Sequence, residues 1–391
     1  MTARLGSIGQ GAKWQCLLAL ACGLWGGGDA SALPPAGLRA SAPTPAPIAD
    51  EAGVVHRIAV FGVDNRAKLP KRLEALRGSI GIIYNERSRT ICSAFCIADD
   101  VIATASHCVF RTKGEKPPPT ERFYFARPGT RLASVRFEGA ASRRAAHYIL
   151  AGAAGISTKP PIEAARDWAL IMLQGPACRG KVLEVKPLTP DEIEGEAKAG
   201  RLYQAAFHRD YGRWTMAYSQ PCFGGRRGDP DVPPPTVTAR DFADHANLVL
   251  HSCDTGGASS GSPLLIETAA GPHVVAINVG TFVQSRVLIE GGEVVKRAPA
   301  APVANTAVSA IAFAGKVEAL RAASVLRSAG DLRKLQQRLQ SAQVFDGPVN
   351  GRYDVRLRLA IESYEVREGL PVLGLPTRTL LDALERGTGA R

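Results

Sequence analysis

Between about residues 55 and 300, apolar residues come in short runs: HRIAVFGV, GSIGIIY, CSAFCIA, DVIATAS, DWALIML, NLVLHSC, SPLLIE and HVVAINVG. Runs of this length suit strands, and turn-rich inserts such as KGEKPPPT (113–120) and GGRRGDPDVPPP (224–235) separate them. No helical pattern alternates with the runs. The text therefore predicts an all-β barrel or sandwich, not a parallel sheet with crossover helices. After VANTAVSAIAF the period changes. KVEALRAASVLRSAGDLRKLQQRLQ reads as helical, with a helix over Lys316–Leu326, and a short helical module follows to the C-terminus.

The chain's 391 residues suit one large domain plus a smaller one, and 45% hydrophobic content is ample for a buried core. Residues 1–32 read as a secretory signal. Arg4 and Lys13 precede the apolar run WQCLLALACGLW, and Ala30-Ser31-Ala32 is a cleavage site. The run is too short to span a bilayer, so no integral membrane segment is expected after its removal. LPPAGLRASAPTPAPIAD (33–50) reads as an extended Pro/Ala-rich linker. The formal charge is +12, and losing Arg4, Lys13 and Asp29 leaves +11. Such a charge favours anionic surroundings such as cell-wall polymers or acidic proteins, and does not single out nucleic acid. The expected location is the periplasm or the exterior of the cell.

Export changes how the cysteines read. Six remain after the signal: Cys92, Cys96, Cys108, Cys178, Cys222 and Cys253. An even number in an oxidising compartment implies disulfides, although six cysteines allow about 15 pairings. No C-x-x-C or H-x-x-x-H pair suggests zinc. No metal and no cofactor are expected.

The chemistry centres on HSCDTGGASSGSPLL (251–265). A Gly/Ser-rich turn entering a strand is common, but such a turn can also hold one hydroxyl forward beside backbone N–H groups. It then needs a base and an acid. Of the seven histidines, His107 closes a β-run and abuts a cysteine, in IATASHCVF. Here the chain resembles the trypsin/chymotrypsin-like serine peptidases, whose base sits in a T-A-x-H-C block. Asp167 in DWALIML resembles the family's acid strand, and Ser260 in ASSGSP follows third. The order His, Asp, Ser is that of this family and not of subtilisins or α/β-hydrolases.

The resemblance implies a mostly β fold, a double six-stranded chymotrypsin-like β-barrel over residues 51–315. It implies peptide-bond hydrolysis by Ser260 as nucleophile, His107 as base and Asp167 as orienting acid, without a cofactor. The N–H groups of Ala258 and Ser260 would form the oxyanion hole, with alanine where the family usually has glycine. It also implies a Cys92–Cys108 disulfide. FGVDNRAKL (61–69) and GASSGSP resemble the V8-like, glutamyl-endopeptidase-like branch. Relatives with a cysteine before Asp-Thr suggest Cys222–Cys253, leaving Cys96 and Cys178 at neighbouring strand ends. Asn278 stands where that branch carries a specificity histidine. Asn278, Val279 and Gly280 are expected along the substrate cleft, and Asp254 is a candidate pocket acid against a structural turn role. The I-V-G-G start of the digestive enzymes is absent, so activation through a freed amino terminus is not expected.

Beyond a helical linker (316–330), residues 331–386 resemble the peptidoglycan-binding domain type 1, a three-helix bundle. The landmarks include Leu335, Leu339, Phe345, Asn350-Gly351, Tyr353, Tyr364 and Gly369-Leu370. Glu365 stands where glutamine is usual. The resemblances together imply an exported endopeptidase acting on protein or peptide and held to peptidoglycan. The competing reading is an inactive peptidase-like protein serving as a cell-wall scaffold.

Overall fold

The computed structural model describes residues 59–85, 90–110, 122–128, 135–138, 148–153, 156–157, 162–173, 175–212, 215–220, 222, 242–290 and 293–387. The secretory signal, its cleavage site, the 33–50 linker and both turn-rich inserts lie outside the described residues.

In chain order the strands are β1 (Ala67–Lys68), β2 (Ile80–Asn85), β3 (Ile91–Ala98), β4 (Val101–Thr104), β5 (Arg122–Ala126), β6 (Val135–Glu138), β7 (Ile149–Ala151) and β8 (Ala169–Met172). They continue with β9 (Glu184–Val185), β10 (Leu202–Phe207), β11 (Met216–Ser219), β12 (Leu248–His251), β13 (Pro263–Thr268), β14 (Gly271–Glu290) and β15 (Glu293–Ser309). They build two sheets. One runs β6-β5-β2-β3-β4-β8-β7; the other runs β1-β11-β10-β13-β14-β15-β12, with β9 beside β14.

Each sheet contains six principal strands in the same ring order: first, second, third, sixth, fifth, fourth. In the first these are β2, β3, β4, β8, β7 and β5; in the second β10, β11, β12, β15, β14 and β13. Among the described pairings, one link of each ring is open. The double six-stranded arrangement is thus present, with β1, β6 and β9 added at its margins.

The continuous apolar text of β3, β4 and β8 follows from burial on both faces. Period-two alternation sends Phe95, Ala103 and Leu170 into one core, and Ala94, Ile102 and Ile171 into another. The first of these cores is continuous with Leu335, Leu339 and Tyr353 of the C-terminal segment.

Two helical findings differ from the sequence reading. Helix α1 (Pro190–Lys198) interrupts the β text, started by a capping box in which Thr189 and Glu192 bond each other's backbone N–H. Helix α2 (Ala314–Ala322) ends four residues short of Leu326. There Val325 bridges to Thr377 and the Leu326 N–H donates to the Pro376 carbonyl, so tertiary pairing replaces the next helical turn. Helices α3 (Ala329–Ser341), α4 (Val355–Arg367) and α5 (Arg378–Gly387) form the bundle.

The bundle is docked on the first sheet. Arg358 donates to the Ile149 carbonyl at 3.1 Å, Tyr353 meets Tyr148 edge-on, and Arg327 lies over Tyr148 while donating to the Leu173 carbonyl.

Candidate active site

Strands β4 and β8 pair antiparallel with Thr104 opposite Ala169, so the residues just beyond β4 face those just before β8. His107 sits in a tight turn, Ser106–Cys108, and Asp167 lies two residues before β8 begins. Register alone therefore brings them together. His107 Nδ1 lies 2.6 Å from Asp167 Oδ2. Oδ1 accepts the His107 backbone N–H at 2.9 Å and the Ser106 hydroxyl at 2.9 Å. The carboxylate is 2% exposed. Burial by itself would raise its pKa, but the His107 charge and these donors hold it below the usual carboxylate range. A buried anion so placed fixes the imidazole with its proton on Nδ1, leaving Nε2 free to accept another.

Ser260 comes from the second sheet, in the turn between β12 and β13. That turn is fixed from several sides. Ser93 of β3 donates its N–H to the Ser260 carbonyl at 2.8 Å and its hydroxyl to the Ala258 carbonyl at 3.0 Å. Gly261 has φ +82°, and a Cβ there would fall 2.1 Å from the Thr104 hydroxyl, so only glycine fits. From below, His251 accepts the Cys253 N–H on Nδ1 and therefore donates from Nε2 to Asn278 Oδ1 at 3.0 Å. Asn278 Nδ2 in turn donates to the Ser259 carbonyl at 3.1 Å. Burial pushes the His251 imidazole down to about 4, so it stays neutral in this column.

The histidine and serine share a wall. Cys108 Sγ lies 3.8 Å from His107 Nε2 and 3.9 Å from the Ser260 carbonyl oxygen. The Ser260 hydroxyl is turned to the Val279 carbonyl at 3.4 Å, and among the described residues no hydrogen bond joins it to His107. The Ala258 and Ser260 N–H groups have no hydrogen-bond partner among the described residues, as an oxyanion site requires. Ala258 provides its N–H from a left-handed backbone, φ +81°.

Three disulfides join Cys92 to Cys108, Cys96 to Cys178 and Cys222 to Cys253. Cys92 and Cys108 lie close to His107, but both sulfurs are spent in a disulfide, which leaves no thiolate to hold an ion.

The expected cleft residues fare differently. The Val279 carbonyl faces Ser260, and Gly280 follows on β14. Asn278 is 1% exposed with both ends of its amide engaged, so it supports the Ser260 turn from behind. Asp254 is equally buried, and its two oxygens accept the N–H groups of Phe61 and Asn65 at 2.8 Å each. The carboxylate thus anchors the backbone at Phe61 and Asn65. Sequence reasoning missed Ser106, Ser93 and His251. Only Ser106 had a local signal, its place in the T-A-S-H-C block.

A search of curated proteins gives no match. Among solved structures, one of a Glu endopeptidase in complex with MPD is similar, at 16% identity and a TM-score of 0.43, covering 68% of this chain and 100% of that one. Residues 328–384 match the family described as a peptidoglycan binding domain, so the C-terminal helices carry a domain of that type.

Proposed function

We propose that the chain is an exported serine endopeptidase held at the cell wall by its C-terminal domain. The observation that carries this reading is the His107–Asp167 pair at 2.6 Å, facing a strained turn with Ser260 and two N–H groups unpartnered among the described residues. Ser260 attacks the scissile carbonyl and passes its proton to His107 Nε2. Asp167 stabilises the resulting imidazolium, and the Ala258 and Ser260 N–H groups hold the oxyanion. His107 then protonates the leaving amine, and water, activated the same way, releases the acyl group. Rotation about the Ser260 Cα–Cβ bond brings the hydroxyl from Val279 toward the imidazole. With Asp254 occupied, nothing in the reading favours substrates with lysine or arginine before the cut bond.

The peptidoglycan-binding-type domain and the positive charge support retention on an anionic wall, which raises the local concentration of wall-associated protein substrates. Three disulfides fit an oxidising compartment. Among the described residues no helix is long and apolar enough to cross a membrane.

The inactive-scaffold reading has one observation in its favour, the Ser260 hydroxyl facing Val279. A fluorophosphonate probe separates the two. The full chain should be labelled at Ser260 and cleave a peptide library, and Ser260→Ala should lose both, with a drop of roughly four to six decades in rate. Both forms should sediment equally with purified sacculi. An unlabelled wild type overturns the peptidase; no sedimentation overturns the tether.

A further inference from the structure

The stretch Ala59–Arg66 runs against the back of the nucleophile turn. Ala59 and Thr255 exchange backbone hydrogen bonds, 3.2 Å from the Ala59 N–H and 2.9 Å from the Thr255 N–H. Phe61 and Asn65 donate their N–H groups to the two oxygens of Asp254. Ser219 ties the same pair together, donating its hydroxyl to Asn65 Oδ1 at 2.7 Å and accepting the Asp254 N–H at 2.9 Å.

Arg66 closes the arrangement. Its side chain is 5% exposed and lies 2.7 Å from Asp64 and 2.8 Å from Asp210. Asp210 belongs to the loop after β10, which grips the turn from its other side. The Gly256 N–H donates to His208 Nδ1 at 2.9 Å, and the Arg209 N–H donates to the Gly257 carbonyl at 2.6 Å. A Cβ on Gly256 would fall 2.1 Å from Asp210 Oδ1, so the carboxylate lies directly on the turn's backbone. Burial, then the Arg66 charge, push His208 down to about 4, which keeps Nδ1 free to accept.

Residues 254–257 are thus held from two sides, and Arg66 links the two holders. The Ala59 N–H donates to the Thr255 carbonyl, the Asp254 oxygens accept from Phe61 and Asn65, and the Asp210 oxygens accept from Arg66. Neither Asp254 nor Asp210 awaits an ammonium group.

We propose that residues 59–66 are a built-in clamp, with Asp254, Arg66 and Asp210 as positioning residues, ordering the nucleophile turn in the uncut chain. The proposal rests on the peptidase reading for its catalytic consequence, but the ordering is measurable without it.

The test uses the full chain, with Arg66→Gln, Asp210→Asn, the double variant and Arg66→Lys. Hydrogen exchange of a peptide covering 254–261 should quicken about fivefold or more in Arg66→Gln while the β3 and β4 peptides keep their protection. Fluorophosphonate labelling of Ser260 should slow about 10- to 100-fold, with the double variant no slower than Arg66→Gln, because the two groups act through one contact. Arg66→Lys keeps one ion pair and should recover part of the rate, which guards against a misfolded Gln variant. Intact mass should find the probe on chains still carrying residues ahead of Ala59.

Unchanged exchange at 254–261 overturns the clamp. Faster exchange with undiminished labelling overturns the positioning role, and labelling confined to chains cut near Ala59 overturns ordering in the uncut chain. A wild type inert to the probe sinks the peptidase reading, and the exchange measurement then decides the clamp by itself.

Discussion

The Ser106 hydroxyl donates to Asp167 Oδ1 at 2.9 Å, while the carboxylate's other oxygen binds His107, the very next residue, at 2.6 Å. One tight turn thus supplies the buried acid with three donors: the Ser106 hydroxyl, the His107 N–H and the imidazole. Removing the hydroxyl leaves a fully buried carboxylate short of a partner, and burial then pulls its pKa upward.

Ser106→Ala should therefore lower kcat about tenfold with little change in KM, since a hydrogen bond to a charged buried group contributes about 1.5–3 kcal/mol. Steady-state kinetics on a peptide substrate checks this. A kcat equal to wild type would remove Ser106 from the orienting set.

Ala258 carries the second prediction. At φ +81° its Cβ crowds the neighbouring carbonyl, a conformation glycine adopts without penalty. Ala258→Gly should stabilise the protein by about 1 kcal/mol, raising the melting temperature by about 2 °C, and leave the N–H in place. Labelling of Ser260 should persist. If the glycine variant melts lower than wild type, the backbone at this position is not strained.

What the sequence revealed and what it hid divide by distance along the chain. The blocks around His107, Asp167 and Ser260 are local patterns, each readable in under ten residues. So is the cysteine next to His107. The contacts of Asp254 lie 189 and 193 residues away, and those between Arg66 and Asp210 span 144. No periodicity or turn rule connects such positions, so the sequence offers a pocket acid as one candidate role for Asp254 beside a structural one. Strand β15 was hidden for a different reason: its text, EVVKRAPAAPVANTAVS, is rich in alanine and proline, and pairing with β14 outweighs its weak strand preference. Helix α1 did carry its start signal, Thr189-Pro190-Asp191-Glu192, in text otherwise read as β.

Docking of the bundle bears on how the two parts melt. Tyr148 is packed edge-on against Tyr353 with ring centroids 5.1 Å apart, under the guanidinium of Arg327 at 5.6 Å. It directly precedes β7, the partner of β8. Bundle and first sheet should unfold in one calorimetric transition, and Tyr148→Ala should destabilise both by about 2–3 kcal/mol. Two resolved transitions in wild type would show that the bundle is thermodynamically separate. For the same reason deletion of residues 331–391 is not a neutral operation, because it uncovers Tyr148 and the Ile149 carbonyl.

Glu365 supplies a prediction with a definite sign. It is 3% exposed inside the bundle, and its Oε2 accepts the N–H groups of Leu373 and Gly374 at 2.8 and 2.7 Å. Burial pushes its carboxyl up to about 7, with Glu362 adding to the rise and the two amides only partly opposing it. An acid whose folded pKa exceeds its unfolded value of about 4.3 binds its proton more tightly when folded. Its stabilising contribution is full below pH 4.3 and is lost as the pH climbs through 7, where the native state must bury a charge. Glutamine presents the same carbonyl oxygen to both amides and never ionises. Glu365→Gln should match wild type near pH 4 and exceed it by about 1–3 kcal/mol at pH 8. Other titrating groups are common to both proteins and cancel in the difference. Melting curves of the pair from pH 4 to pH 8 read it directly, and a gap that stays constant across that range would mean that no proton is linked to folding at this site.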